Sequence, residues 1–165
     1  MVRRLPVLQS SSDDGAERPP WHYLVIGAGF TITLWLPLAV VATWVGSRLA
    51  LWGFGAATDS DRPAAVARAT ATQKAWAAAL QAAPLMLAFF LACLGSAALV
   101  GRFGGKAGVR EAILGNLFGS AVVLGLTLLA GGVDVVVATA AGAFLAASSA
   151  LGGWAGARLG RRLRR

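Results

Sequence analysis

A chain of 165 residues that is 57% hydrophobic and only 13% charged has room for one compact membrane domain and little for a separate soluble module. Its net charge of +8 would point a soluble protein toward nucleic acid, but here the basic residues cluster in short segments between apolar runs, so they speak of membrane orientation and not of a nucleic-acid partner. One cysteine, Cys93, excludes an intramolecular disulfide, and one histidine, His22, beside scattered carboxylates leaves no ligand set for a metal or cofactor.

Residues 1–20 hold Ser10, Ser11, Ser12, Asp13, Asp14 and Gly15 in succession, too little apolar surface to offset ordering entropy, and are expected to form a disordered cytoplasmic tail. Arg3 and Arg4 are not followed directly by an apolar run. A cleaved signal peptide is therefore not expected, and the first apolar stretch reads as a retained signal anchor. That first span, 23–45, is framed by Trp21, His22 and Tyr23 at its inner end and by Trp44 and Trp52 at its outer end, where amphipathic rings favour the headgroup layer. Pro37 removes one backbone donor and predicts a modest kink near Leu34.

Asp59, Ser60 and Asp61 ahead of Pro63 form a helix-start signal, and the alanine-rich run 63–83 has high helix propensity. It predicts a helix of about twenty residues on the outer side, running straight into the second span and kinked at Pro84. The second span, 77–100, sets Ala88, Ala92 and Ser96 at four-residue spacing. The third, 112–130, carries Gly115 and Gly119 as a GxxxG pair, together with Asn116, Ser120 and Thr127. Glu111 stands at its start, where a helix N-terminus favours negative charge.

Residues 131–134 leave room only for a tight turn, in which Asp134 is expected to cap the last helix. The fourth span, 135–155, sets Ala138, Gly142, Ala146 and Ala150 on one ridge, and Gly152, Gly156 and Gly160 continue at the same interval. The chain then closes on a basic cytoplasmic tail, 158–165, with Arg158, Arg161, Arg162, Arg164 and Arg165. Each could gain about 1 kcal/mol beside an anionic leaflet, so these arginines are expected to anchor the tail to lipid and to set topology.

Each span reaches the roughly 20 residues that a helix needs to cross a 30 Å hydrocarbon core. All basic residues except Arg48, Arg62, Arg68 and Lys74 lie on one side when both termini are placed in the cytoplasm. The predicted fold is thus an all-α integral membrane protein. Its four transmembrane helices form two hairpins, N-in and C-in, with an alanine-rich helical extension on the outer side before the second span.

Small residues four apart return to nearly the same helix face and let another backbone approach closely, so the ridges are candidate packing surfaces. Asn116, Ser120, Ser96 and Thr127 are candidates either for interhelical hydrogen bonds or for lining a polar path. The segment Asn116-Leu117-Phe118-Gly119-Ser120 resembles the Asn-x-x-Gly-Ser segment of small fluoride channels, and 152–162 is similar to their glycine-rich basic ending. The phenylalanine and hydroxyl segment of those channels is absent from the following helix and the helix order would differ, so that family is not assigned. Four helices in this length also resemble lipoprotein signal peptidases. However, Asp59, Asp61 and Asp134 lack the asparagine and arginine that accompany the aspartates of that family.

No charged residue lies near the middle of a span, which argues against an ion-coupled transporter, and no nucleophile with its base argues for an enzyme. The expected function is that of a small non-catalytic multi-pass protein of the cytoplasmic membrane, of bacterial type. It would act as an assembly, scaffold or accessory subunit in a homo-oligomer or with another membrane protein. The alternative is a small oligomeric channel or passive transporter with its polar path near Asn116 and Ser120.

Overall fold

The structure is a computed structural model and describes residues 20–103, 108–129 and 135–163. The expectations for the N-terminal tail, the turn at 131–134, the Asp134 cap and the last two arginines, Arg164 and Arg165, lie outside the described residues. Among the described residues every regular element is helical: α1 Pro20–Gly53, α2 Arg62–Arg68, α3 Ala71–Phe103, α4 Val109–Leu129 and α5 Val135–Arg162.

Three stretches, Trp21–Gly53, Ala71–Phe103 and Val137–Arg162, are long and apolar enough to cross a membrane. The distribution of side chains agrees with that solvent. Buried positions are filled by small residues such as Ala28, Ala50, Ala77, Ala92, Ala97 and Ala112, while Val40, Val41, Leu36, Leu87, Phe118 and Leu151 face outward. In water this would be an inverted protein; in hydrocarbon, large apolar side chains lose nothing by facing lipid and close backbone contact supplies the cohesion. The chain is a membrane-embedded, multi-pass, all-helical protein.

The long helices alternate in direction. Gly27 of α1 faces Val100 of α3, whereas Gly46 faces Gln81 and Gly53 faces Ala77, so these two run antiparallel. Gly115 meets Leu24 and Gly27, and Gly119 meets Ala28 and Thr31, so α4 runs parallel to α1. Gly152 meets Cys93 and Gly160 meets Ala98, so α5 runs parallel to α3. Each long helix therefore has two neighbours in the cyclic order α1, α3, α5, α4, with a smaller α3–α4 contact across the diagonal. A knot of Ala97, Val100, Ala112 and Ala157, covered by Tyr23 and Val109, closes one end.

The helices continue through Pro37 and Pro84. Each such proline frees one carbonyl four residues back, a cost that packing against neighbouring helices offsets in a membrane bundle. The outer extension differs from the uninterrupted helix expected from 63–83: α2 stops at Arg68, Ala69 is extended, and α3 starts afresh at Ala71. The reason is a capping box. The Gln73 amide donates to Thr70 Oγ1 at 3.3 Å, and Gln73 Oε1 accepts from the Thr70 amide at 2.9 Å, a reciprocal pair that makes Thr70 a helix start and not a helix interior. At the start of α2, Asp61 occupies the cap position without a side-chain capping bond; its carboxylate instead accepts from the Thr58 hydroxyl at 2.6 Å. The start of α4 has a related device, with the Gly108 amide donating to Glu111 Oε2 at 2.6 Å.

Candidate functional site

Asn116, Ser120 and Ser96 are drawn together in one buried cluster, joined by Thr31 and Ser149, which lie outside the small-residue ridges of the sequence. All five are at most 5% exposed, and they come from all four long helices. Asn116 Nδ2 donates to the Cys93 carbonyl at 2.9 Å, tying α4 to α3. Thr31 Oγ1 lies 2.8 Å from Asn116 Oδ1 and 2.9 Å from the Gly27 carbonyl, so its single proton is shared between α4 and its own helix. Ser96 Oγ donates to the same Gly27 carbonyl at 2.8 Å, joining α3 to α1.

The other half of the cluster links α4 to α5. Ser120 and Ser149 hydroxyls lie 2.5 Å apart; Ser120 also reaches the Asn116 carbonyl at 2.8 Å, and Ser149 reaches the Leu145 carbonyl at 2.7 Å. Two proton arrangements satisfy this pair equally: one hydroxyl donates to the other while the acceptor donates to its own helix. The Cys93 thiol sits 3.9 Å from Ser149 Oγ. Thr127 belongs to α4, but its side chain lies outside the described residues.

Asn116 is seven residues into α4 and Ser96 seven before the end of α3, about 10 Å along each axis, while Thr31 and Ser120 are each eleven residues into their helices, about 16 Å, so the cluster lies inside the bundle and away from the helix ends. Every polar atom there must find its partner inside the protein, and these do. Its members are hydroxyls and one amide beside the Cys93 thiol, and what they supply is hydrogen bonds between helices. Among the described residues no three of His, Cys, Asp and Glu come close enough to hold a metal ion.

The small residues separate into two sets. Gly115 and Gly119 lie against α1; Gly152, Gly156 and Gly160 lie against α3; Gly153 faces Ile113 of α4. At Gly156 and Gly160 an added methyl group would strike the Leu94 and Ala98 carbonyl oxygens, so only glycine lets these backbones approach. The series Ala138, Gly142, Ala146 and Ala150 does not continue onto that face. From Ala150 to Gly152 is about 200° around the helix. Accordingly Ala146 and Ala150 are exposed, Ala138 is partly so, and Gly142 meets only Leu124. A cleft of about 200 Å³ lined by Leu117, Ser120, Ala121, Gly142, Leu145 and Ala146 opens between α4 and α5. A second cleft of about 290 Å³ lies among Trp35, Met86, Phe89, Val123 and Phe144.

Arg158, Arg161 and Arg162 are exposed at the end of α5, with the Arg158 guanidinium over the Trp154 ring at 4.1 Å. The likelihood of a polar cluster could have been raised from sequence by Thr31 standing four residues after Gly27 and by the adjacent pair Ser148 and Ser149. Nothing in either pattern announces which helix they meet. No family model, no curated protein and no solved structure matches this chain.

Proposed function

We propose that this is a small non-catalytic membrane protein that acts as an assembly, scaffold or accessory subunit. α4 serves as a fourth span between α3 and α5, and both termini face the cytoplasm. The observation that carries this reading is the consumption of the polar side chains inside one copy of the chain. Asn116, Ser96, Ser120, Thr31 and Ser149 bond one another or backbone carbonyls, whereas a conduction path would need them on a face open to water. At 21 residues α4 is about 31 Å long, enough to span, and its direction fits the alternation of its neighbours. Arg102, Arg110, Arg158, Arg161 and Arg162 fall at one end of the bundle and Arg62, Arg68 and Lys74 at the other, which supports the cytoplasmic placement of the first group in a bacterial inner membrane.

The exposed α5 stripe that includes Ala146 and Ala150 is the surface we assign to a membrane partner or a second copy, because the glycine face is already occupied by α3. Purification from native membranes in mild detergent, with mass spectrometry of what co-elutes, tests this. A stoichiometric membrane partner, lost in the Ala146→Leu, Ala150→Leu double variant while the melting temperature is kept, is the expected result. Recovery as a homo-oligomer whose ion flux in liposomes disappears with Asn116→Leu would replace it with the channel reading.

A further inference from the structure

The inner end of α5 holds a feature that neither the polar cluster nor the packing faces use. A cleft of about 290 Å³ is lined by Trp154, Ala155, Arg158, Leu159 and Arg162. Arg158 and Arg162 are one turn apart on the same side of the helix, both exposed, and neither meets a carboxylate among the described residues. α5 contains no acidic residue at all. The two guanidinium groups therefore have charge to spare, in excess of what the partial negative charge of a helix C-terminus would draw.

We propose that this cleft binds the phosphodiester headgroup of an anionic phospholipid. Depth is the first argument. Arg158 is nine residues beyond Ser149 and Arg162 thirteen, about 14 and 20 Å along the axis from the Ser120–Ser149 pair, which sits halfway along α4; this brackets the edge of a 30 Å core and the headgroup layer just outside it, where lipid phosphates lie. Geometry is the second. The Arg158 guanidinium lies over the Trp154 ring at 4.1 Å, which holds it at the cleft with N–H groups left for phosphate oxygens, and Arg162 supplies a second guanidinium one turn further out. The floor is the third. Trp154, Ala155 and Leu159 offer apolar surface to the glycerol and first acyl carbons, which a soluble polyanion would leave unused. The proposal rests on α5 crossing the bilayer and is independent of any accessory-subunit role.

The test is native mass spectrometry of the purified full chain titrated with dioleoyl phosphatidylglycerol, with dioleoyl phosphatidylcholine as the acyl-matched comparison. One phosphatidylglycerol should bind tightly, and the double variant R158Q/R162Q should weaken it about ten-fold. The equal-charge control R102Q/R110Q, at the same end of the bundle but outside the cleft, should stay within about two-fold of the unmodified chain. Should the glutamine variant fail to fold, R158K/R162K keeps the charge and removes both guanidinium groups, and about a five-fold loss is expected. An unchanged affinity in the folded R158Q/R162Q or R158K/R162K variant, or an equal loss in R102Q/R110Q, would overturn the site. Inorganic phosphate competing at the same concentration as the lipid would also overturn it, because the cleft would then recognise a free anion.

Discussion

Asn116 is the side chain that joins three helices through its own hydrogen bonds. It donates to α3 through the Cys93 carbonyl and accepts from Thr31 of α1, so removing it leaves partners on two helices. Hydrogen bonds inside membrane bundles are worth about 0.6 kcal/mol on average and up to about 1.7. Asn116→Ala should therefore destabilise the bundle by about 1–2 kcal/mol, read as a lower midpoint in reversible unfolding in mixed micelles. Asn116→Asp should cost more than Asn116→Ala despite its similar shape, because it loses the donor to Cys93 and buries a carboxylate that no cation in the cluster balances. A larger loss for alanine than for aspartate would refute this account of the cluster.

The glycines show how an element's face, not its composition, decides its tolerance. Gly160 on α5 presses against the Ala98 carbonyl, while Gly29 on α1 has nothing within 4 Å. Gly160→Ala should destabilise by about 1–3 kcal/mol through overpacking. Gly29→Ala should be neutral or stabilising by up to about 1 kcal/mol from helix propensity. Thermal melts of the two variants in one detergent check the contrast, and equal effects would contradict the close α3–α5 approach. Thr70→Ala removes one half of the capping box and should weaken the start of α3 by about 1 kcal/mol. Faster hydrogen exchange confined to the amides near Gln73 is the expected signature; protection that does not change would show that the two helices are held apart by something else.

For the whole molecule, the alternation of the four long helices makes a prediction about sidedness. Ser60 lies in the segment before α2 and Leu163 just after α5, at opposite ends of the bundle. In intact cells an impermeant maleimide should label Ser60→Cys, and should label Leu163→Cys only after permeabilisation. Cys93 is buried and should stay unlabelled in both states, so the native chain is its own blank. Labelling of Leu163→Cys from outside would reverse the orientation, and labelling of both from one side would break the four-span count.

The positions of the apolar stretches, their aromatic frames and the asymmetry of basic charge were legible in the amino-acid order alone. Each is a local property: about twenty apolar residues need hydrocarbon, and arginines beside them resist translocation, whatever the helices later touch. Even the Thr70 start was available as a Thr-x-x-Gln signature, although alanine propensity on both sides masked it. Which faces meet was not available. Ala138 through Ala150 and Gly152 through Gly160 share a spacing but differ in phase, so one series is left open and the other is clamped on α3. Thr31 and Asn116 are 85 residues apart, and only the order and rotation of the packed helices brings their side chains to 2.8 Å. A four-residue repeat specifies that a surface is smooth, whereas its partner is chosen by the competition among all helix pairs for backbone contact and for satisfied polar groups, and that competition exists only in the assembled bundle.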